Sequence, residues 1–197
     1  MAVADLAVFY IDWKDIQVTN SAGNFVNGAH ATSRGFELTG SYAPIGNLQL
    51  TYYADYTKCE FDSMIPDNPT LTGYQFPNVP KWSVGGTATY AWPLAGLWHA
   101  QLLGAFRWIE LQYDSSEVQS RSLAGYPTMI IPSYAVINAN AQVSNGPVAF
   151  RVFVRNLTDK RAYLSRLFFS DVPNAPTQVV DKLLQPRTLG VGVSYAF

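Results

Sequence analysis

His30 and His99, the single cysteine Cys59, and the carboxylates Asp55 and Glu60 are the residues of this chain whose types could do chemistry. Their spacing assembles no reaction. Cys59 has no second Cys or His at metal-ligand spacing, and neither a glycine-rich phosphate loop nor a Gly-x-Ser-x-Gly elbow occurs. Asp55 and Glu60 read as solvated acids rather than as an acid/base pair. No residue set asks for a metal or a cofactor, and the chain reads as something other than an enzyme. A net charge of −1 gives no electrostatic case for nucleic acid. The chemistry that remains is recognition and passage, carried by charged and aromatic side chains, and the elements that hold them come next.

The chain has 197 residues, of which 48% are hydrophobic and only 14% charged. A soluble domain carries about 25% charge. Aromatics reach 14%, yet no run of about 20 apolar residues marks a spanning helix. Low charge and many rings without such a helix describe a sheet that is wet on one face and apolar on the other, as in a transmembrane barrel. One cysteine excludes an internal disulfide framework.

Alternation with period two organises the sequence. Leu189, Val191, Val193, Tyr195 and Phe197 fall on one face of the last segment, against Thr188, Gly190, Gly192, Ser194 and Ala196. Phe36, Leu38 and Tyr42 oppose Glu37, Thr39 and Ser41; Leu50, Tyr52 and Ala54 oppose Thr51 and Asp55. Trp82, Val84 and Tyr90 oppose Ser83 and Thr89; Leu102, Phe106 and Trp108 oppose Gln101 and Arg107. Ile137, Ala139 and Ala141 oppose Asn138, Asn140 and Gln142, and Phe150, Val152 and Val154 oppose Arg151 and Arg155. In the opening segment, Ala7, Phe9, Ile11 and Trp13 form the apolar row against Tyr10, Asp12 and Lys14. The sum is about eight strands, each long enough to cross a bilayer at a tilt.

Connection lengths add a second regularity. Short turns at 44–47, 93–96 and 145–147 alternate with long polar links at 17–30, 58–80, 114–132 and 157–186. Outer-membrane barrels keep this rhythm, with short periplasmic turns and long outside loops. Trp82, Trp92, Trp98 and Trp108 fall near strand ends on the apolar side, where rings form girdles at the headgroup level. The fold expected is all-β, an antiparallel up-and-down barrel segment of about eight strands within a larger barrel.

Four segments carry a family resemblance: Phe9-Tyr-Ile-Asp-Trp-Lys-Asp-Ile16, Arg34-Gly-Phe-Glu37, Asn156-Leu-Thr-Asp-Lys160 with Tyr163, and Pro186 to Phe197. In that order they resemble the distal strands of TonB-dependent receptors, although Thr158 stands where Phe is commoner and Ala162 intervenes before Tyr163. The resemblance implies residues 1–197 as the C-terminal barrel portion of such a receptor, in the outer membrane of a Gram-negative bacterium. The plug domain, the TonB-contacting box and the earlier strands would lie elsewhere, and Met1–Leu6 has no signal-peptide pattern.

It also implies partners: outer-membrane lipid, the TonB complex through the plug, and a small ligand such as a ferric siderophore. The barrel-assembly machinery would read Val191, Val193, Tyr195 and Phe197. Glu37, Asp55, Arg107, Arg151 and Arg155 are the expected lumen residues. Tyr74, Phe76, Tyr126, Tyr163, Phe168 and Phe169 lie in long links as ligand-contact residues or loop pins. Two other readings stand beside this one. Eight strands can close alone into a small structural or adhesive barrel. A soluble lipocalin-type carrier would turn the apolar face inward, where so sparse a charge on the outer face fits poorly.

Overall fold

A computed structural model describes residues 1–19, 25–63, 73–114, 130–169 and 178–197. Among these, an eight-stranded antiparallel sheet runs in the order β1-β2-β3-β4-β5-β8-β9-β12. Its strands are β1 (Ala2–Thr19), β2 (Phe25–Ile45), β3 (Leu48–Ser63), β4 (Trp82–Pro93), β5 (Trp98–Ile109), β8 (Tyr134–Asn145), β9 (Val148–Arg155) and β12 (Thr188–Tyr195). The expected eight strands and the up-and-down order are both found. The sheet stays open, with β1 and β12 each paired on one side only.

Two small pairs sit at the end that carries the long links. β6 (Gln112–Tyr113) pairs with β7 (Ile130–Ile131), and β10 (Tyr163–Phe169) pairs with β11 (Gln178–Leu183). Strand bounds also run past those expected. β1 continues to Thr19, β2 starts at Phe25 and β3 reaches Ser63, so much of the expected links at 17–30 and 58–80 is ladder. Polar side chains there lower the hydropathy signal without costing the backbone its hydrogen bonds.

Register fixes the faces. Phe36 pairs with Val8 and Tyr56, and Tyr56 with Trp82; Glu37 pairs with Ala7 and Asp55. Because cross-strand partners point to the same side, the apolar row of β1 is Leu6, Val8 and Tyr10. The assignment of Ala7, Phe9, Ile11 and Trp13 to the apolar face is therefore corrected: they share the face of Glu37. Phe9 fits there because Gly35 is its partner, and a Cβ on Gly35 would overlap the Tyr56 carbonyl and crowd the Phe9 ring.

Near its end, β1 carries an irregularity between Trp13 and Ile16, with Asp15 at a φ of 55°. An extra residue in one strand shifts the parity, which brings Ile16 onto the side of Trp13. Ile16, Ala29, Ala31 and Phe61 are buried there, and Phe76 from the β3–β4 link packs against them. This small core lies on the charged face, at its long-link end.

Candidate functional site

On the apolar face, rings gather at two levels. Phe36, Tyr56 and Trp82 meet at the long-link end, with the Tyr56 and Trp82 centroids 4.8 Å apart. Tyr90 lies by Trp92 at 5.3 Å, Trp98 stacks on Phe150 at 6.3 Å, and Tyr195 meets Phe197 edge-on at 5.2 Å, all toward the short turns. Trp82 and Trp92 are ten residues apart on β4. At about 3.3 Å per residue and a tilt of about 40°, that separation spans about 25 Å, the height of a lipid-facing band. Between the two ring levels the paired rows on this face hold no charged residue. Arg34, Lys58, Asp12 and Glu60 share its parity but lie beyond the upper rings, and Lys58 pairs with Glu60 at 2.9 Å.

The other face gathers the charges. Glu37 and Asp55 are direct cross-strand partners, and Arg107 lies one row nearer the short turns, on β5. Arg151 pairs with Gln142 and Gly192, and Arg155 with Thr188. All five expected lumen residues thus share one face, but they do not converge on one point. Acids sit on β2 and β3, and guanidiniums on β5 and β9. Between Arg151 and Arg155 the Phe153 ring lies on the same side, with each guanidinium carbon 5.5 Å from its centroid. Phe153 can lie flat because its partner is Gly190, whose added Cβ would overlap the ring.

The loop aromatics separate in kind. Phe76 stacks on Phe61 at 4.9 Å and on Trp13 at 5.7 Å, so it pins the β3–β4 link to the wall. Gln75 and the backbone of Tyr74 and Phe76 extend that pin along β3: Phe61 N donates to Tyr74 O, and Phe76 N to Cys59 O. The Tyr163 ring receives the Arg166 guanidinium at 4.2 Å. Phe168 and Phe169 are placed by backbone register, opposite Val179 and Gln178. Tyr126 lies outside the described residues.

Sequence reasoning passed over two polar hubs at the long-link end. Arg166 Nε donates to Asp181 at 2.8 Å across β10–β11, while Asp114 accepts weakly from Arg166 N and Ser165 Oγ. This ties the β5–β8 link to the β9–β12 link. The second hub is Asn156, which is 2% exposed with φ at 51°. Its Nδ2 donates to Lys160 O and Gln185 O, and its Oδ1 accepts from Lys160 N. Asp159 accepts from the Arg187 backbone at 2.8 Å, which holds its carboxyl below the usual carboxylate range, helped by the charges of Arg161 and Arg187. The Asn-Leu-Thr-Asp-Lys spacing was the available signal: it supplies an Asn and an Asp at the offsets this staple uses.

A two-faced antiparallel wall, ringed by aromatics at two levels and free of charge on one face between them, defines an outer-membrane β-barrel protein. The sequence profile described as "TonB dependent receptor-like, beta-barrel" matches residues 2–157, and the chain belongs to that family. Family members are transporters rather than enzymes and reside in the outer membrane of Gram-negative bacteria. Among solved structures, the chain is similar to the ferric yersiniabactin uptake receptor FyuA from Yersinia pestis. That match has a TM-score of 0.80 and 17% identity, covering 100% of this chain and 28% of the other. It is also similar to BauA, the ferric preacinetobactin receptor from Acinetobacter baumannii, at TM-score 0.74 and 21% identity over 98% and 27%. The ferric citrate transporter FecA gives a TM-score of 0.69 at 18% identity over 98% and 29%. The chain therefore spans under a third of the length of these receptors. A search of curated protein sequences returns no match.

Proposed function

We propose that residues 1–197 form the C-terminal barrel portion of a TonB-dependent receptor that imports a scarce ligand, a ferric siderophore, across the outer membrane. The observation that carries this is the fit of the whole chain onto under a third of the receptor for ferric yersiniabactin. Physical features support it as well. β1 and β12 each keep an unpaired edge, and in hydrocarbon an unpaired edge is unsustainable. Further strands on both sides would satisfy them, which favours the larger barrel over a self-closed one of eight strands.

In this reading the chain is wall and outer loop. Its charged face looks into a wet interior, against a plug supplied by the rest of the polypeptide, and TonB acts through that plug. Glu37, Asp55, Arg107, Arg151 and Arg155 line the interior. The long-link end faces outward and meets the ligand. Val191, Val193, Tyr195 and Phe197 present the apolar face of the last strand to the assembly machinery. The test is uptake of radiolabelled ferric siderophore by iron-limited cells carrying the full receptor gene or the same gene without this segment. Loss of uptake with the segment is expected. Unchanged uptake would overturn the transport reading.

A further inference from the structure

Arg151 and Arg155 are two cations on one strand face with nothing on that face to neutralise them. Both lean over the Phe153 ring, so the two guanidinium carbons are at most twice 5.5 Å apart. Among the described residues no ion pair involves either one. The acids of the same face, Asp5, Glu37 and Asp55, lie on β1, β2 and β3. From β3 to β9 is four strand spacings, about 19 Å. That is about twice the Debye length at physiological salt, too far to compensate the pair. Asp159 is engaged by the Arg187 backbone, with Arg161 and Arg187 as its charged neighbours.

Each guanidinium leans on the Phe153 ring, and that ring lies over the bare backbone of Gly190. Beside them the strands leave a cavity of about 190 Å³, lined by Leu103, Asn138, Asn140, Phe153 and both arginines. Planar guanidiniums with free forks match carboxylates in a bidentate manner, and amide side chains at the edge complete the hydrogen bonding.

We propose that Arg151 and Arg155, braced by Phe153, form a binding site for paired carboxylates on the inner face of the barrel. The proposal rests on the reading that this face points into a wet interior. The carboxylates come either from acidic side chains of the polypeptide that fills the barrel or from a small acid passing through it. In both cases the cations are neutralised without a charge on the chain itself.

The probe is succinate, titrated calorimetrically into the receptor's whole barrel, expressed without its plug and folded in neutral detergent micelles, with succinamide as the uncharged isostere. Saturable binding of succinate but not succinamide is expected. Arg151→Gln and Arg155→Gln should each weaken it at least tenfold, while Arg34→Gln, on the opposite face of β2, leaves it unchanged. Arg151→Lys keeps the charge and the fold but loses the fork, and should weaken binding severalfold. Circular dichroism of the same samples reports the β-barrel state, so a wall that forms yet binds no succinate overturns this site and leaves the receptor reading intact. Equal binding by the Arg151→Gln variant also overturns it. The same titration on the full receptor separates the sources. Binding there means a small acid reaches an open site, and its absence beside binding to the plug-free barrel means the receptor's own acids already fill it.

Discussion

Asn156 Nδ2 donates a 2.8 Å hydrogen bond to the carbonyl of Gln185, 29 residues further along the chain. That bond closes the β9–β12 link at its base. With the bonds to Lys160 it uses both amide hydrogens and the oxygen of a buried side chain. Asn is suited to the place because it tolerates the left-handed φ of 51° and still reaches three partners. Asn156→Ala should lower unfolding stability by about 3 kcal/mol, since it strands buried backbone groups and strains the turn. Asn156→Gly keeps the backbone relaxed and should cost about 1 kcal/mol less. Denaturant unfolding in micelles measures both.

A second prediction concerns Gly35 in the Arg34-Gly-Phe-Glu37 segment. A Cβ there meets the Tyr56 backbone, which cannot move without breaking the β2–β3 ladder. Gly35→Ala should sharply lower the yield of folded barrel. Gly104→Ala, where an added Cβ has open space, should fold as the parent does. Heat-modifiable migration on gels scores the two variants.

The two faces should tolerate charge very differently. Ala88 sits in the middle of the apolar face, paired with Leu50 and Gly104. Ala88→Arg should destabilise by about 2–4 kcal/mol in a bilayer, the usual penalty for a cation at the midplane. Thr89→Arg, one residue on and facing the other way, should cost under about 1 kcal/mol. Refolding titrations into lipid vesicles give both values.

Much of this was legible because strand chemistry has period two. Seven of the eight sheet strands show one apolar row and one polar row, so their faces follow from sequence alone. β1 does not, because Leu6, Val8 and Tyr10 compete with Ala7, Phe9 and Ile11. Only pairing with β2 decides, through Phe9 lying over Gly35. Similarly, Ile16 joins Trp13 through a bulge that alternation has no means to foresee. β10 and β11 were hidden in a link read as polar; among the described side chains, Arg166, Asp181 and Asp114 tie them together. The five charged candidates share one face of the sheet. That acids and guanidiniums occupy different strands became visible only with strand order.

The lowered pKa of Asp159 gives a pH prediction. The folded state holds this carboxyl charged, chiefly through the Arg187 backbone hydrogen bond. Its stabilising contribution is therefore complete above the unfolded value of about 3.9 and is lost as pH falls through the lower folded value. Stability below about pH 4 should fall less steeply in Asp159→Asn than in the parent. Urea midpoints at pH 7 and pH 3 supply the comparison.

In the proposed barrel the ring-bounded apolar face meets lipid and the charged face meets water. Nitroxide labels placed singly at residues 150 to 155 of the membrane-embedded receptor, with Cys59→Ser as background, test it most directly. Labels at 150, 152 and 154 should collide with dissolved oxygen, and those at 151, 153 and 155 with a water-soluble nickel chelate. Uniform exposure to the chelate along the strand, or the opposite alternation, would contradict the account.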